Sequence, residues 1–188
     1  ETTDRPRGLV LFRSGYANHV IHDFFMGFIV SAHRSGLTWT LECVELVHGL
    51  TQKSAISLRQ CVISDVAKDI SAATEVKLAV GTQGGQRPRF ASHADGFHAV
   101  RAIPGVFGLK NFVFFQKTDG IVWLGSWEDA GANYTDNRQI DTKFFIKYAG
   151  SAAVIPALPV LRPGMLVNGK RIESLRLIKH ETQIKWKS

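Results

Sequence analysis

From Leu37 to Val47 the chain alternates apolar and polar side chains for most of its length, a period of two that fits a strand and not a helix. Leu37, Trp39, Leu41 and Cys43 fall on one face of that strand. Shorter runs repeat the pattern. Ser54–Ile63 sets Ile56 and Leu58 against Ser57 and Arg59, and Thr74–Val80 sets Val76, Leu78 and Val80 against Glu75 and Lys77. Gly8–Arg13, Asn111–Gln116, Gly120–Trp127 and Ile140–Tyr148 are further strand-length runs of β-branched and aromatic residues. Asp119-Gly120 suits a tight hairpin between two of them. Strands in succession, without regular alternation with long helices, point to an all-β antiparallel sandwich or barrel, and the chain is read as the sandwich.

Two segments depart from this texture. His22–Ser35 is apolar on nearly every side and closes on Ser35-Gly36, so it reads as a short buried helix, with a fully buried strand as the rival. Ser64–Ala73 has room for a second helical turn. Two polar, glycine-bearing loops, Gly81–Arg89 and Glu128–Gln139, are expected at the surface. After Gly150, Pro156, Pro159 and Pro163 make the stretch too proline-rich for a central strand. The reading is therefore a β-sandwich over residues 1–150 and an extended C-terminal arm over 151–188, with a hairpin around Asn168-Gly169 and a basic end from Lys179. Removing Ser151–Ser188 is expected to damage assembly more than folding of the body.

A chain of 188 residues is long enough for one well-packed core. Its 45% apolar against 21% charged composition excludes a disordered chain. The greasiest stretch, Phe24–Ala32, falls far short of the roughly 20 residues that span a bilayer, so no membrane partner is expected. Glu1–Arg7 carries charge where a secretory signal needs an apolar run, and without an initiator Met the chain reads as cut from something longer. Cys43 and Cys61 are too few for a disulfide framework and read as reduced core thiols. The formal charge is +7, of which +5 lies in the last 38 residues, a balance that favours an anionic partner.

His93-Ala94-Asp95-Gly96-Phe97-His98 and the group His19, His22 and Asp23 bring imidazoles and carboxylates together, but neither has the spacing of a metal motif. A nucleophile elbow, a phosphate-binding loop and a dinucleotide fingerprint are absent from the sequence. No catalytic residue, metal or cofactor is therefore expected. Arg87 and Arg89 on their loop, and Lys179, Lys185 and Lys187 around the stackable ring of Trp186, are the candidate contacts to RNA phosphate; the bland reading of both is a solvated basic surface. Asn133-Tyr134-Thr135 matches a glycosylation acceptor without secretory context. Phe112-Val113-Phe114-Phe115 is apolar on both strand faces and must be covered on both, by Val154–Leu161 or by a neighbouring subunit.

Ala32-His33-Arg34-Ser35-Gly36, the long alternating strand after it and the strand carrying Ser57-Leu58-Arg59-Gln60 together resemble the middle of a jelly-roll coat protein of the plant picorna-like viruses, the comovirus, nepovirus and cheravirus group. Lys143–Gly150 followed by Pro156 and Pro159 is similar to the way the last strand of that family exits into its C-terminal arm, so the resemblance runs from about Phe24 to Pro159. It implies an eight-stranded jelly roll, release from a polyprotein by a viral protease, and co-assembly with sibling coat proteins into an icosahedral shell around RNA. The implied locations are the virion and the host cytoplasm. The expectation is thus a structural capsid protein. Its rivals are a β-sandwich that binds a ligand or carbohydrate, and a metal enzyme using His93, Asp95 and His98.

Overall fold

The computed structural model describes residues 8–17, 19–82 and 84–187. The chain is mostly β, with few helices and several sheets. Its strands are β1 (Leu9–Ser14), β2 (His22–Ser35), β3 (Thr38–Glu45), β4 (Ile56–Cys61), β5 (Leu78–Val80), β6 (Arg87–Ser92), β7 (Val113–Gln116), β8 (Val122–Gly125), β9 (Asn137–Arg138), β10 (Lys147–Ala149), β11 (Ala152–Pro156), β12 (Leu166–Val167), β13 (Lys170–Ile178) and β14 (Glu181–Trp186). The helices are α1 (Ile63–Thr74), α2 (Gly96–Phe107) and the single turn α3 (Ala132–Thr135). These strands form four sheets: β1-β2-β3, β4-β6, β5-β8-β7 and β10-β11-β14-β13-β12-β9. Contacts divide the chain into two compact units. The first comprises 1–12 and 25–126; the second comprises 13–24 and 127–188.

The core of the first unit is held by its two long helices. In α1 the buried residues are Ile63, Val66, Ala67, Ile70 and Thr74, and in α2 they are Gly96, Ala99, Val100, Ile103 and Phe107, both at the spacing of one helical face. These faces join Leu50, Ile56, Phe90, Val122 and Leu124 in one cluster. The helix expected near Ser64–Ala73 is α1, and it runs on to Thr74 at the expense of the strand expected there, of which only Leu78–Val80 remains. No helix was expected at α2, whose sequence is punctuated by Gly96, Pro104 and Gly105. It forms because the Asp95 carboxylate accepts a hydrogen bond from the His98 N–H at 2.7 Å, capping its start. Gly108, at φ +67°, ends it in the left-handed region that a side chain disfavours.

His22–Ser35 is not a helix. It is the central strand of the first sheet, and its backbone groups are satisfied by β1 and β3 on either side. A bulge between Ile29 and Ser31 breaks its period, which is why the run shows no alternation. Gly27 is needed there, since a Cβ would lie 2.0 Å from the Val44 carbonyl oxygen. Gly36, at φ +60°, and Leu37 form a two-residue loop to β3, so the Arg34-Ser35-Gly36 turn joins two strands. The Gln116 side chain ties β2 to the body of the first unit: its Oε1 accepts from the Val47 N–H at 3.0 Å and its Nε2 donates to the Met26 carbonyl at 2.8 Å.

In the second unit the residues after Gly150 are not an extended arm. They supply β11 to β14, four of the six strands of the largest sheet, and bury Ala153, Ile155, Leu161, Met165, Val167, Ile172, Ile184 and Trp186. The prolines sit at the end of β11 and in the loop after it, where they cost no ladder hydrogen bond. Asn168-Gly169 is the expected hairpin turn, with both residues at positive φ, +49° and +76°. Ile140–Tyr148 is no continuous strand. The Asn168 side chain takes both the N–H and the carbonyl of Ile140, and Asp141 caps a 3₁₀ turn over Thr142–Phe144, so the backbone groups a ladder would use are already engaged.

Candidate functional site

The sheet β1-β2-β3 leaves large apolar side chains in the open. Leu9, Leu11, Phe12, Phe28, Val30, Leu37 and Leu41 are all exposed, Leu37 at its hairpin tip to 95%. The register explains part of this. Phe28 pairs with Val44 on one face, and past the bulge that face turns polar, with the Ser31 hydroxyl donating to the Glu42 carboxylate at 2.9 Å. On the other face Ile29 pairs with Cys43 and Ala32 with Leu41, an apolar strip ending where the Arg34 guanidinium lies over the Trp39 ring at 5.9 Å. β1 and β3 form the edges of this sheet, and edge strands present unpaired backbone groups to any further strand. The sequence held a signal for this surface in the Phe24–Val30 run, hidden by its reading as a buried helix.

The proposed RNA contacts do not form one group. Arg87 is half-buried on β6, and its Nη2 donates to the Phe107 carbonyl at 2.9 Å, so it caps the end of α2 from below. Arg89 is exposed and directly opposite Arg59 of β4, two like charges side by side on a two-stranded ribbon. In the second unit, Thr182, Ile184 and Trp186 point inward while Lys185 and Lys187 are exposed. Trp186 is only 3% exposed, so it is no stacking platform for a base. Lys185 pairs with Glu173 at 2.8 Å, and Lys179 sits at φ +53° in the β13–β14 turn. A further cation that the sequence did not single out is held inside the second unit. Arg171 donates from Nη1 to the carbonyls of Tyr134 and Gly164 and lies over the Trp127 ring at 4.9 Å; burial pulls its pKa down, opposed by the charge of Glu128.

Neither acid–imidazole group converges as a metal site. The Asp95 carboxylate caps α2, and Asp23 pairs with Arg13 at 2.7 Å. Among the described residues no three His, Cys, Asp or Glu side chains are placed to hold a metal ion. Cys61 is buried and Cys43 half-buried, both as free thiols. No helix among the described residues is long and apolar enough to cross a membrane. The Asn133 side chain, Gln83 of the glycine-rich loop and the Glu1–Arg7 segment lie outside the described residues. The chain matches no protein-family model and no curated protein.

Proposed function

We propose that this chain is a structural subunit that assembles with copies of itself and with sibling chains through the β1-β2-β3 sheet, as a coat protein of a small RNA virus does. The observation that carries the reading is the set of exposed apolar side chains on that sheet, on both its faces and at its hairpin tip, which a lone copy leaves in water. Each is worth at most about 1.5–3 kcal/mol when fully buried. Association costs about 4–15 kcal/mol, so assembly needs several of these side chains covered at once. The jelly-roll order, the icosahedral shell, the enclosed RNA and the virion location come with the resemblance to plant picorna-like coat proteins. Assembly through the sheet stands without them.

Sedimentation velocity and electron microscopy of the whole chain across a concentration series test this. Oligomers or shells are expected from the unaltered chain, and the triple substitution Leu9→Ser, Leu11→Ser, Phe28→Ser is expected to return it to a folded monomer. An unaltered chain that stays monomeric at high concentration would overturn the reading.

A further inference from the structure

In the second unit, β9 and β10 are the two outermost strands of the six-stranded sheet, and only residues 139–146 connect them. That short connection therefore crosses from one edge of the sheet to the other. Against it lies a cavity of about 360 Å³, lined by Thr142, Phe145 and Tyr148 from the connection and β10, and by Asn168, Lys170 and Trp186 from the β12–β13 turn and the strands β13 and β14. Its size falls within the range of small-molecule sites, about 300–1,000 Å³.

The walls have a definite chemistry. Three of the six lining residues are aromatic. Phe145 and Tyr148 meet edge to face at 5.5 Å, and Tyr148 remains 57% exposed, a ring free to stack on another. The Lys170 ammonium lies 5.3 Å from the centre of that ring and donates to two neutral acceptors, the Tyr148 hydroxyl at 2.8 Å and the Gly150 carbonyl at 2.9 Å. Among the described residues it makes no ion pair, so its charge is uncompensated. The fourth element is the Trp186 ring in the wall, whose indole N–H is buried and has no hydrogen-bond partner in the chain, so its resonance reports changes at the wall.

We propose that this cavity binds a small planar ring bearing one anionic group. The ring stacks flat on Tyr148 with Phe145 against its edge, and the anion takes the remaining N–H of Lys170. Aromatic carboxylates and mononucleotides share this chemistry. The site lies within one unit of one chain and does not rest on the assembly reading.

Three probes decide it: 2-naphthoate, its neutral counterpart 2-naphthamide, and adenosine 5′-monophosphate, titrated into the whole chain by calorimetry and by ¹H–¹⁵N spectra of the tryptophan indoles. Saturable binding of at least one anionic probe is expected, with one indole N–H resonance shifting in step. Lys170→Met is expected to weaken the anionic probe about tenfold, the scale of one charge-assisted hydrogen bond, while leaving 2-naphthamide unchanged. Tyr148→Ala alters an exposed ring, so the fold survives, and it weakens every probe that binds. Tighter binding of the naphthoate assigns an aromatic acid, and tighter binding of the nucleotide assigns a nucleotide. If neither anion saturates the chain at millimolar concentration, or if both variants bind as the unaltered chain does, the proposal fails.

Discussion

The β1-β2-β3 sheet and the six-stranded sheet are both antiparallel for most of their pairings and both carry abundant aliphatic residues, yet they treat them in opposite ways. β11, β13 and β14 bury Ala153, Ile155, Ile172, Ile184 and Trp186, while the smaller sheet leaves Leu9, Leu11, Phe28, Val30 and Leu41 in water. Strand content alone does not make a core. A sheet hides its face only where something lies over it, and in the unit of the larger sheet the loop between β11 and β12 is itself buried at Leu161 and Met165.

The sharpest way to break this comparison is to shorten one aliphatic residue in each sheet and measure unfolding by denaturant. Ile184→Ala is expected to cost about 2–5 kcal/mol, because the site is enclosed and leaves a cavity. Leu41→Ala in a monomeric sample is expected to cost well under about 1 kcal/mol. Equal losses would mean that the two sheets are covered alike.

Next in size is the cover itself. Arg171→Met removes the guanidinium that holds the carbonyls of Tyr134 and Gly164, and is expected to cost about 1–3 kcal/mol in the same assay, since two carbonyls lose a charged donor. Asn168→Ala takes the clamp off Ile140 and puts a Cβ-only side chain at φ +49°, with an expected loss of about 1 kcal/mol and faster amide exchange at Ile140.

The smallest effect concerns Asp141. Its carboxylate accepts from the Lys143 backbone N–H and pairs with the Lys143 ammonium at 2.9 Å, and these bonds hold its pKa below the ordinary 3.8. A lowered carboxylate pKa stabilises the fold above the ordinary value, and that contribution is lost as the pH falls through the lower folded one. Chemical-shift titration of the Lys143 amide is expected to report a midpoint below 3.8. Because the carboxylate is fully exposed, the accompanying change in stability should be close to the limit of measurement.

Much of the local structure was legible because one residue pair or one period decided it. Asn168-Gly169 and Asp119-Gly120 form the turns that their chemistry demands, and the alternation within Leu37–Val47 and Ser54–Ile63 yields β3 and β4. The failures share a cause. β2 was hidden by a bulge that shifts its period midway, and α2 by Gly96, Pro104 and Gly105, whose helix-breaking tendency is overridden by the Asp95 cap and by packing of Val100, Ile103 and Phe107. Ile140–Tyr148 looked like a strand because its side chains fit one; what decides its path is Asn168, distant in sequence. Trp186 looked like a surface ring because its neighbours are lysines, although the alternation of Thr182, Ile184 and Trp186 already placed it on the inner face. Of the exposed apolar surface on β1-β2-β3, only the greasy run of β2 was visible, since whether an apolar residue is covered depends on tertiary neighbours that no local pattern encodes.

The eight-residue link between the two margins of the large sheet has a mechanical consequence. Because it joins one edge strand directly to the other, neither β9 nor β10 can peel away without pulling on the segment that leads into its counterpart. Fraying at one margin is therefore felt at the other, and the two shortest strands of the sheet should open and close together rather than one at a time.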